Sequence, residues 1–390
     1  MPYYWRLSGF YLCYFALLGV LVPYWSLYLK EGGFSAAEIG LLMALPQITK
    51  IGAPNLWGWL ADATGQRLRI IRAGNLLAAL LFTGVFFADT FWRMFAVLVA
   101  FSFFWNAVLA QFEVITLSAL GRHSDRYGLV RLWGSVGFIV TVVVLGRVLD
   151  SAPVSLVPWV LLGLLWAIWL CTLSVPDQSA AQAATQREPL LAVLRRPGVP
   201  IFFLCAFLMQ ASHGPYYTFY TIHLVDMGFS RALAGQLWAW GVVAEVGVFL
   251  LMHRLLARFS LVALIRASLL LAALRWLMIG TLAEYLPALV LAQLLHAASF
   301  GSFHAAAMAW LHRSFRGGQA GQGQALYSSL GFGAGWAVGA TLAGLHWDEL
   351  GGVSFLLAAA AALLAAVLAW CGLREPAAQR ASVEREPLET

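Results

Sequence analysis

Long apolar runs separated by brief polar punctuation make up most of the chain. Twelve runs can be marked, at approximately 6–29, 38–60, 70–88, 93–120, 129–149, 154–175, 199–223, 233–257, 262–280, 286–312, 322–345 and 352–373. A helix needs about 20 mostly apolar residues to cross the hydrocarbon core of a bilayer, and each run is close to that length. The runs are continuous, which predicts helices, because lipid offers no partner to an unpaired backbone group. A membrane β-barrel would show shorter, alternating segments. The predicted fold is therefore an all-α membrane protein with twelve transmembrane helices. The stretch from Tyr11 to Leu29 has no small-residue cleavage site and reads as a retained first span.

The longest polar interruption, 176–198, begins Val175-Pro176-Asp177 and holds Arg187, Arg195 and Arg196. It predicts a cytoplasmic linker between a six-helix bundle at 1–175 and a second at 199–373, followed by a polar cytoplasmic tail at 374–390. A short internal echo supports the division. Ser135-Val136-Gly137-Phe138 opens the fifth run, and Ser329-Leu330-Gly331-Phe332 opens the eleventh, 194 residues later in a chain of 390. Repeated halves of this kind are common in secondary transporters.

Composition removes other classes. Apolar types make up 61% of the chain and charged types 11%. A soluble domain carries about 25% charged residues, so no stretch here could cover a soluble catalytic domain. Disordered chains are polar and highly charged, which this one is not. The net charge of +6 does not point to nucleic acid, because the arginines gather in short connections between apolar runs. With the N-terminus in the cytoplasm, sixteen basic residues fall inside. Four, Lys30, Arg93, Arg147 and Arg231, fall outside. That asymmetry predicts both termini in the cytoplasm. The four cysteines lie within apolar runs without metal-ligand spacing, so neither a metal nor a cofactor is expected.

Candidate chemistry sits in the ionisable residues inside the runs: Lys50, Glu113, Arg131, Glu245 and Arg275, with His213, His296 and His304. Charge at membrane depth costs roughly 2.5–3.5 kcal/mol on insertion scales, so such groups face an interior cavity and find partners. Lys50 and Arg131 would offer fixed positive charge to an anionic solute. Tyr24, Trp25, Trp105, Tyr216, Tyr217, Trp238 and Trp240 could stack on a ring. Glu245 near Arg275 and His296 could exchange a proton. Structural readings compete at each place: a Lys50–Glu113 ion pair, a Glu245–Arg275 ion pair, an Arg131 that snorkels to the surface, and neutral hydrogen-bonded roles for His213 and His304. Gly331, Gly335 and Gly339 repeat every four residues and predict close helix packing.

The loop Gly58-Trp59-Leu60-Ala61-Asp62-Ala63-Thr64-Gly65-Gln66-Arg67 resembles the signature loop between spans two and three of the major facilitator superfamily. The whole chain resembles that superfamily's phenylpropionate permease group. The motifs that carry this include Tyr127-Gly128-x-Val130-Arg131-Leu132-Trp133-Gly134-Ser135, Gln210-x-x-His213-x-x-Tyr216-Tyr217, Gly241-Val242-Val243-Ala244-Glu245, Arg275-Trp276, and Gln293-x-Leu295-His296-x-x-x-Phe300-x-x-x-His304. The resemblance implies proton-coupled uptake of a small organic solute by alternating access. The expected cargo is an aromatic carboxylate such as 3-phenylpropionate. The expected setting is a bacterial-type inner membrane, with one copy of the chain sufficing and only solute, protons and lipid as partners. It implies substrate binding by Lys50, Glu113, Arg131, His213, Tyr216 and Tyr217, and proton coupling by Glu245, Arg275 and His296. Gly58, Asp62, Gly65 and Arg67 would form the conformational loop. A more distant resemblance is to lactose permease and its proton-symporting relatives. There Ser299 stands where the family carries a proton-binding carboxylate, and Gln293 where it carries a lysine.

Rival readings remain. A sugar or nucleoside symporter would also use Glu113 with Arg131. A drug–proton antiporter usually carries a Gly-x-x-x-Gly-Pro element in the fifth span, and this run lacks the proline. An intramembrane enzyme would need a nucleophile–base or metal constellation, and none is spaced that way.

Overall fold

A computed structural model describes residues 3–176, 194–315 and 319–376. Arg187, Arg316, Arg380 and Arg385, with most of the expected linker and tail, lie outside the described residues. Among those described there is no strand. The first six runs form α1 (Tyr4–Glu31), α2 (Ala36–Thr64), α3 (Arg67–Phe82), α4 (Phe91–Trp105) with α5 (Val108–Leu120), α6 (Tyr127–Leu149) and α7 (Leu156–Leu173). The remaining runs form α8 (Val199–Asp226), α9 (Arg231–Arg258), α10 (Leu261–Thr281), α11 (Leu286–His296) with α12 (Phe303–Ser314), α13 (Ala320–Tyr327) with α14 (Trp336–Leu350), and α15 (Ser354–Gly372).

Local chemistry explains the ends. Ser35 and Glu38 form a reciprocal capping box at the start of α2. Ser230 and Ser260 accept from the backbone N–H of Leu233 and Ala263 to start α9 and α10. Gly65 ends α2 at φ 66°, a left-handed turn suited to glycine. Among the described residues, eight helical segments are long and apolar enough to cross a membrane. Two of these, Phe91–Leu149 and Gly321–Gly372, run to 59 and 52 residues, more than one pass at about 20 residues each. The helices α2 and α8 are long enough but more polar, and both carry candidate site residues.

Three of the expected runs are interrupted. The fourth breaks at Asn106 and Ala107, between α4 and α5. The tenth and eleventh contain wide π turns, at Ala297–Ser302 and Ser328–Gly335. Such turns insert a residue into the helical ladder and often mark functional positions.

Helices α1 to α7 pack mainly among themselves, as do α8 to α15. An arginine repeats at the offset already seen in sequence. Arg72 on α3 donates to the carbonyls of Thr172, Leu173 and Val175 at the end of α7. Arg266 on α10, 194 residues later, donates to Ala369, Trp370 and Leu373 at the end of α15. Each neutralises orphan carbonyls and the negative end of a helix.

The two sets meet through α2 on α14, α6 on α9, and α1 on α8. Where α1 finishes, Lys30 pairs with Asp226 at 2.5 Å and Glu31 with Arg231 at 2.6 Å. Arg231 also donates to the Leu149 carbonyl at 2.7 Å. Beside them Gly40 and Gly344 face each other so closely that an added Cβ on either would strike backbone. The Gly335 and Gly339 stripe likewise lies against the α8 carbonyls of Phe207 and Ala211. Small residues there let the backbones touch.

Candidate functional site

Lys50 sits one turn after Pro46 in α2. Pro46 removes a helical donor and bends the path. The side-chain amide of Asn106, at the break between α4 and α5, donates to the Pro46 carbonyl at 2.7 Å and to Thr49 Oγ1 at 2.9 Å. Thr49 in turn donates to Ser102 Oγ at 2.9 Å. This polar knot fixes the turn that carries Lys50. The Lys50 ammonium lies 5.5 Å from the centre of the Phe332 ring, which belongs to the other set of helices. Arg131 on α6 lays its guanidinium 3.7 Å from the centre of Phe15 and 5.8 Å from that of Tyr11.

Among the described residues neither cation has a carboxylate within ion-pair distance. The structural Lys50–Glu113 pair considered from sequence is not formed. Glu113 instead accepts from the Tyr127 hydroxyl at 3.2 Å.

The second set of helices is built differently. Arg275 is fully enclosed. Its guanidinium donates to the Ala292 carbonyl at 3.0 Å and to Gln293 Oε1 at 3.3 Å, and lies 3.0 Å from His296 Nδ1. The rings of Tyr216 and Trp276 flank it at 4.1 and 4.4 Å. Tyr216 donates to Gln293 Oε1, and Gln293 donates to the Tyr220 hydroxyl. Glu245 does not reach Arg275; its carboxylate lies 3.6 Å from His296 Nε2. The contact runs Glu245, His296, Arg275, so the direct Glu245–Arg275 pair considered from sequence is replaced by one through the imidazole. Gly301, in the first π turn, closes over Glu245.

His213 is also enclosed, with Nδ1 at 2.8 Å from the Met209 carbonyl, and its ring meets Trp276 edge-on. His213 and Tyr216 thus lie inside the second set, and Tyr217 packs tilted against Trp336 of the same set at 4.3 Å.

The π turns bring aromatic rings to the seam. Phe300 and Phe332, one from each turn, meet edge to face at 5.9 Å. His304 stands 5.7 Å from Phe332 and hydrogen-bonds Tyr327 at 3.3 Å. Phe332 thus touches both His304 and, across the seam, the Lys50 ammonium. Gly58, Asp62, Gly65 and Arg67 lie apart from this cluster, at the end of α2 and the start of α3. Arg67 is buried between Asp62 and Gln111 and bonds to both. Sequence reading gave no binding role to Phe15, Phe300 or Phe332, and left His304 as a buried titratable group. The spacing Phe300-x-x-x-His304, one turn on from His296, was the available signal.

Comparison with known proteins agrees with this architecture. The model of the MFS_1 like family matches residues 4–358. The chain is 30% identical over 369 residues to a probable 3-phenylpropionic acid transporter of Escherichia coli (strain K12), covering 92% of this chain and 95% of that protein. It is 29% identical to a maltose permease of Geobacillus stearothermophilus, covering 69% and 68%. A crystal structure of a mutant of the nucleoside transporter NupG superposes with a TM-score of 0.85 at 17% identity, covering 94% of this chain and 99% of that one. The fold and these matches place the chain in the MFS_1 like family, within the major facilitator superfamily of membrane transporters.

Proposed function

We propose that this protein is a proton-coupled symporter that takes up a small aromatic carboxylate, of which 3-phenylpropionate is the type, by alternating access. The observation that carries this reading is the pair of cations, Lys50 and Arg131, seated on aromatic rings with no carboxylate in contact. A cation stripped of water at membrane depth needs a counter-ion. A cargo carboxylate supplies one, and its ring would lie among Phe15, Phe300 and Phe332. The similarity to a probable 3-phenylpropionic acid transporter supports the same cargo class.

The proton has one favoured place. Arginine has only donors, so Arg275 must donate to His296 Nδ1, and that nitrogen must be the acceptor. His296 then carries its single proton on Nε2, facing Glu245. A second proton on His296 would meet the guanidinium head-on. Glu245 is therefore the group that gains and loses the proton, with Arg275 and His296 holding its surroundings. This replaces the carboxylate that lactose permease-like symporters carry where Ser299 stands here.

In this reading the bundles at 1–175 and 199–373 rock about the cargo, with both termini in the cytoplasm of a bacterial-type inner membrane and one copy sufficing. The clasp of Lys30, Glu31, Asp226 and Arg231 parts when the outer side opens, and the Asp62–Arg67 loop acts at the inner side. The test is uptake of labelled 3-phenylpropionate into proteoliposomes under an imposed inward proton gradient. Stimulation that a protonophore abolishes is the expected result. Absence of uptake removes the aromatic-acid assignment. Sugars are the next cargo class, favoured by the maltose permease match; competition by a neutral sugar would reveal it.

A further inference from the structure

His304 has an unassigned role, and its surroundings specify its chemistry. Tyr327 is fully buried, and the partner of its hydroxyl is His304 Nδ1 at 3.3 Å. A buried phenol must place its proton on an acceptor, since leaving it unbonded costs about 1–3 kcal/mol. The Tyr327 O–H therefore donates to Nδ1, and neutral His304 carries its own proton on Nε2. That Nε2 has no hydrogen-bond partner among the described residues, yet it is not one of the enclosed, unpartnered polar atoms. His304 is partly exposed, and its ring packs on Phe332, the ring that Lys50 approaches from the first set.

The ring itself is held in place. It lies nearly parallel to Phe300 at 6.3 Å and edge-on to Phe332 at 5.7 Å. Phe332 is the same ring that carries the Lys50 ammonium at 5.5 Å. One aromatic side chain is thus approached by a cation from α2 and by the His304 imidazole ring from α12.

We infer that His304 is the second arm of a carboxylate clamp: cargo oxygen accepts from Lys50 Nζ on one set of helices and from His304 Nε2–H on the other. The inference rests on the carboxylate reading above and adds what it lacks, a donor in the second set. A cargo bonded to both sets draws them together, whereas one bonded to Lys50 and Arg131 alone would form polar bonds only to the first. Tyr327 is a positioning residue, because it sets the tautomer without reaching the cargo.

The test is calorimetric binding of 3-phenylpropionate and of its neutral amide to the purified full chain, with thermal unfolding run on every variant to confirm folding. Wild type should bind the acid more tightly than the amide. His304→Phe keeps the ring packing and loses the donor; it should weaken acid binding about tenfold and amide binding much less. His304→Gln restores an N–H donor and should recover most of the loss. Tyr327→Phe should weaken acid binding by a smaller factor. A His304→Phe variant that binds the acid like wild type, or loses acid and amide alike, overturns the clamp while leaving the carboxylate reading intact. Wild type that binds no arylalkanoate overturns both.

Discussion

The two sets of helices treat buried charge in opposite ways. In the second, Arg275 is saturated by a carbonyl, an amide, an imidazole and two ring faces. In the first, Lys50 and Arg131 rest on rings alone. A saturated network is rigid and specifies one arrangement. An unsatisfied cation is a site awaiting an anion. Under the proposed function, the contrast would separate a half that grips cargo from a half that manages the proton, with His304 proposed to reach across.

The largest expected effect comes from emptying the first half. Lys50→Ala should reduce uptake of 3-phenylpropionate by 100-fold or more, on the order of 3 kcal/mol for a desolvated charge pair, with membrane expression unchanged. Uptake at wild-type level would falsify the assignment. Next comes the proton side. Glu245→Gln removes the exchangeable proton but keeps the shape; it should abolish gradient-driven accumulation while preserving exchange of labelled for unlabelled cargo across the membrane. Loss of both activities in a folded variant would mean that Glu245 binds cargo, and the contrast between halves would fail.

Asn106→Ala tests whether the first half positions Lys50 by its polar knot. Two neutral hydrogen bonds are lost, worth about 0.5–1.5 kcal/mol each. Cargo affinity should fall a few-fold, and the melting temperature should drop by several degrees. An unchanged affinity would show that the turn holds itself. The smallest effect is at the clasp. Lys30 and Asp226 are 42% and 48% exposed, and pairs that open to solvent contribute about 0–1 kcal/mol. Lys30→Ala should leave transport within about twofold, because close backbone packing at Gly40 and Gly344 holds that end shut. A tenfold change, read from the same uptake assay, would assign gating to the ion pairs instead.

Much of this was legible along the chain. Apolar runs and the intramembrane positions of Lys50, Glu113, Arg131, Glu245 and Arg275 follow from local pattern and from the cost of burying charge. The family followed from motifs spread over both halves of the chain. The interruptions did not. Nothing local in Ala297–Ser302 or Ser328–Gly335 announces a π turn, since both read as apolar and small residues in an ordinary helix.

What the sequence determined by itself is which residues leave water and which of them carry charge, because hydropathy and length act residue by residue. Which charges meet was decided only by the tertiary structure. Lys50 and Glu113 are near enough to suggest a pair, yet Glu113 turns to Tyr127 and Lys50 to Phe332. Glu245 reaches Arg275 only through His296. The azimuth of each helix sets these choices, and it follows from glycine contacts, proline bends and π turns that act between helices far apart in the chain.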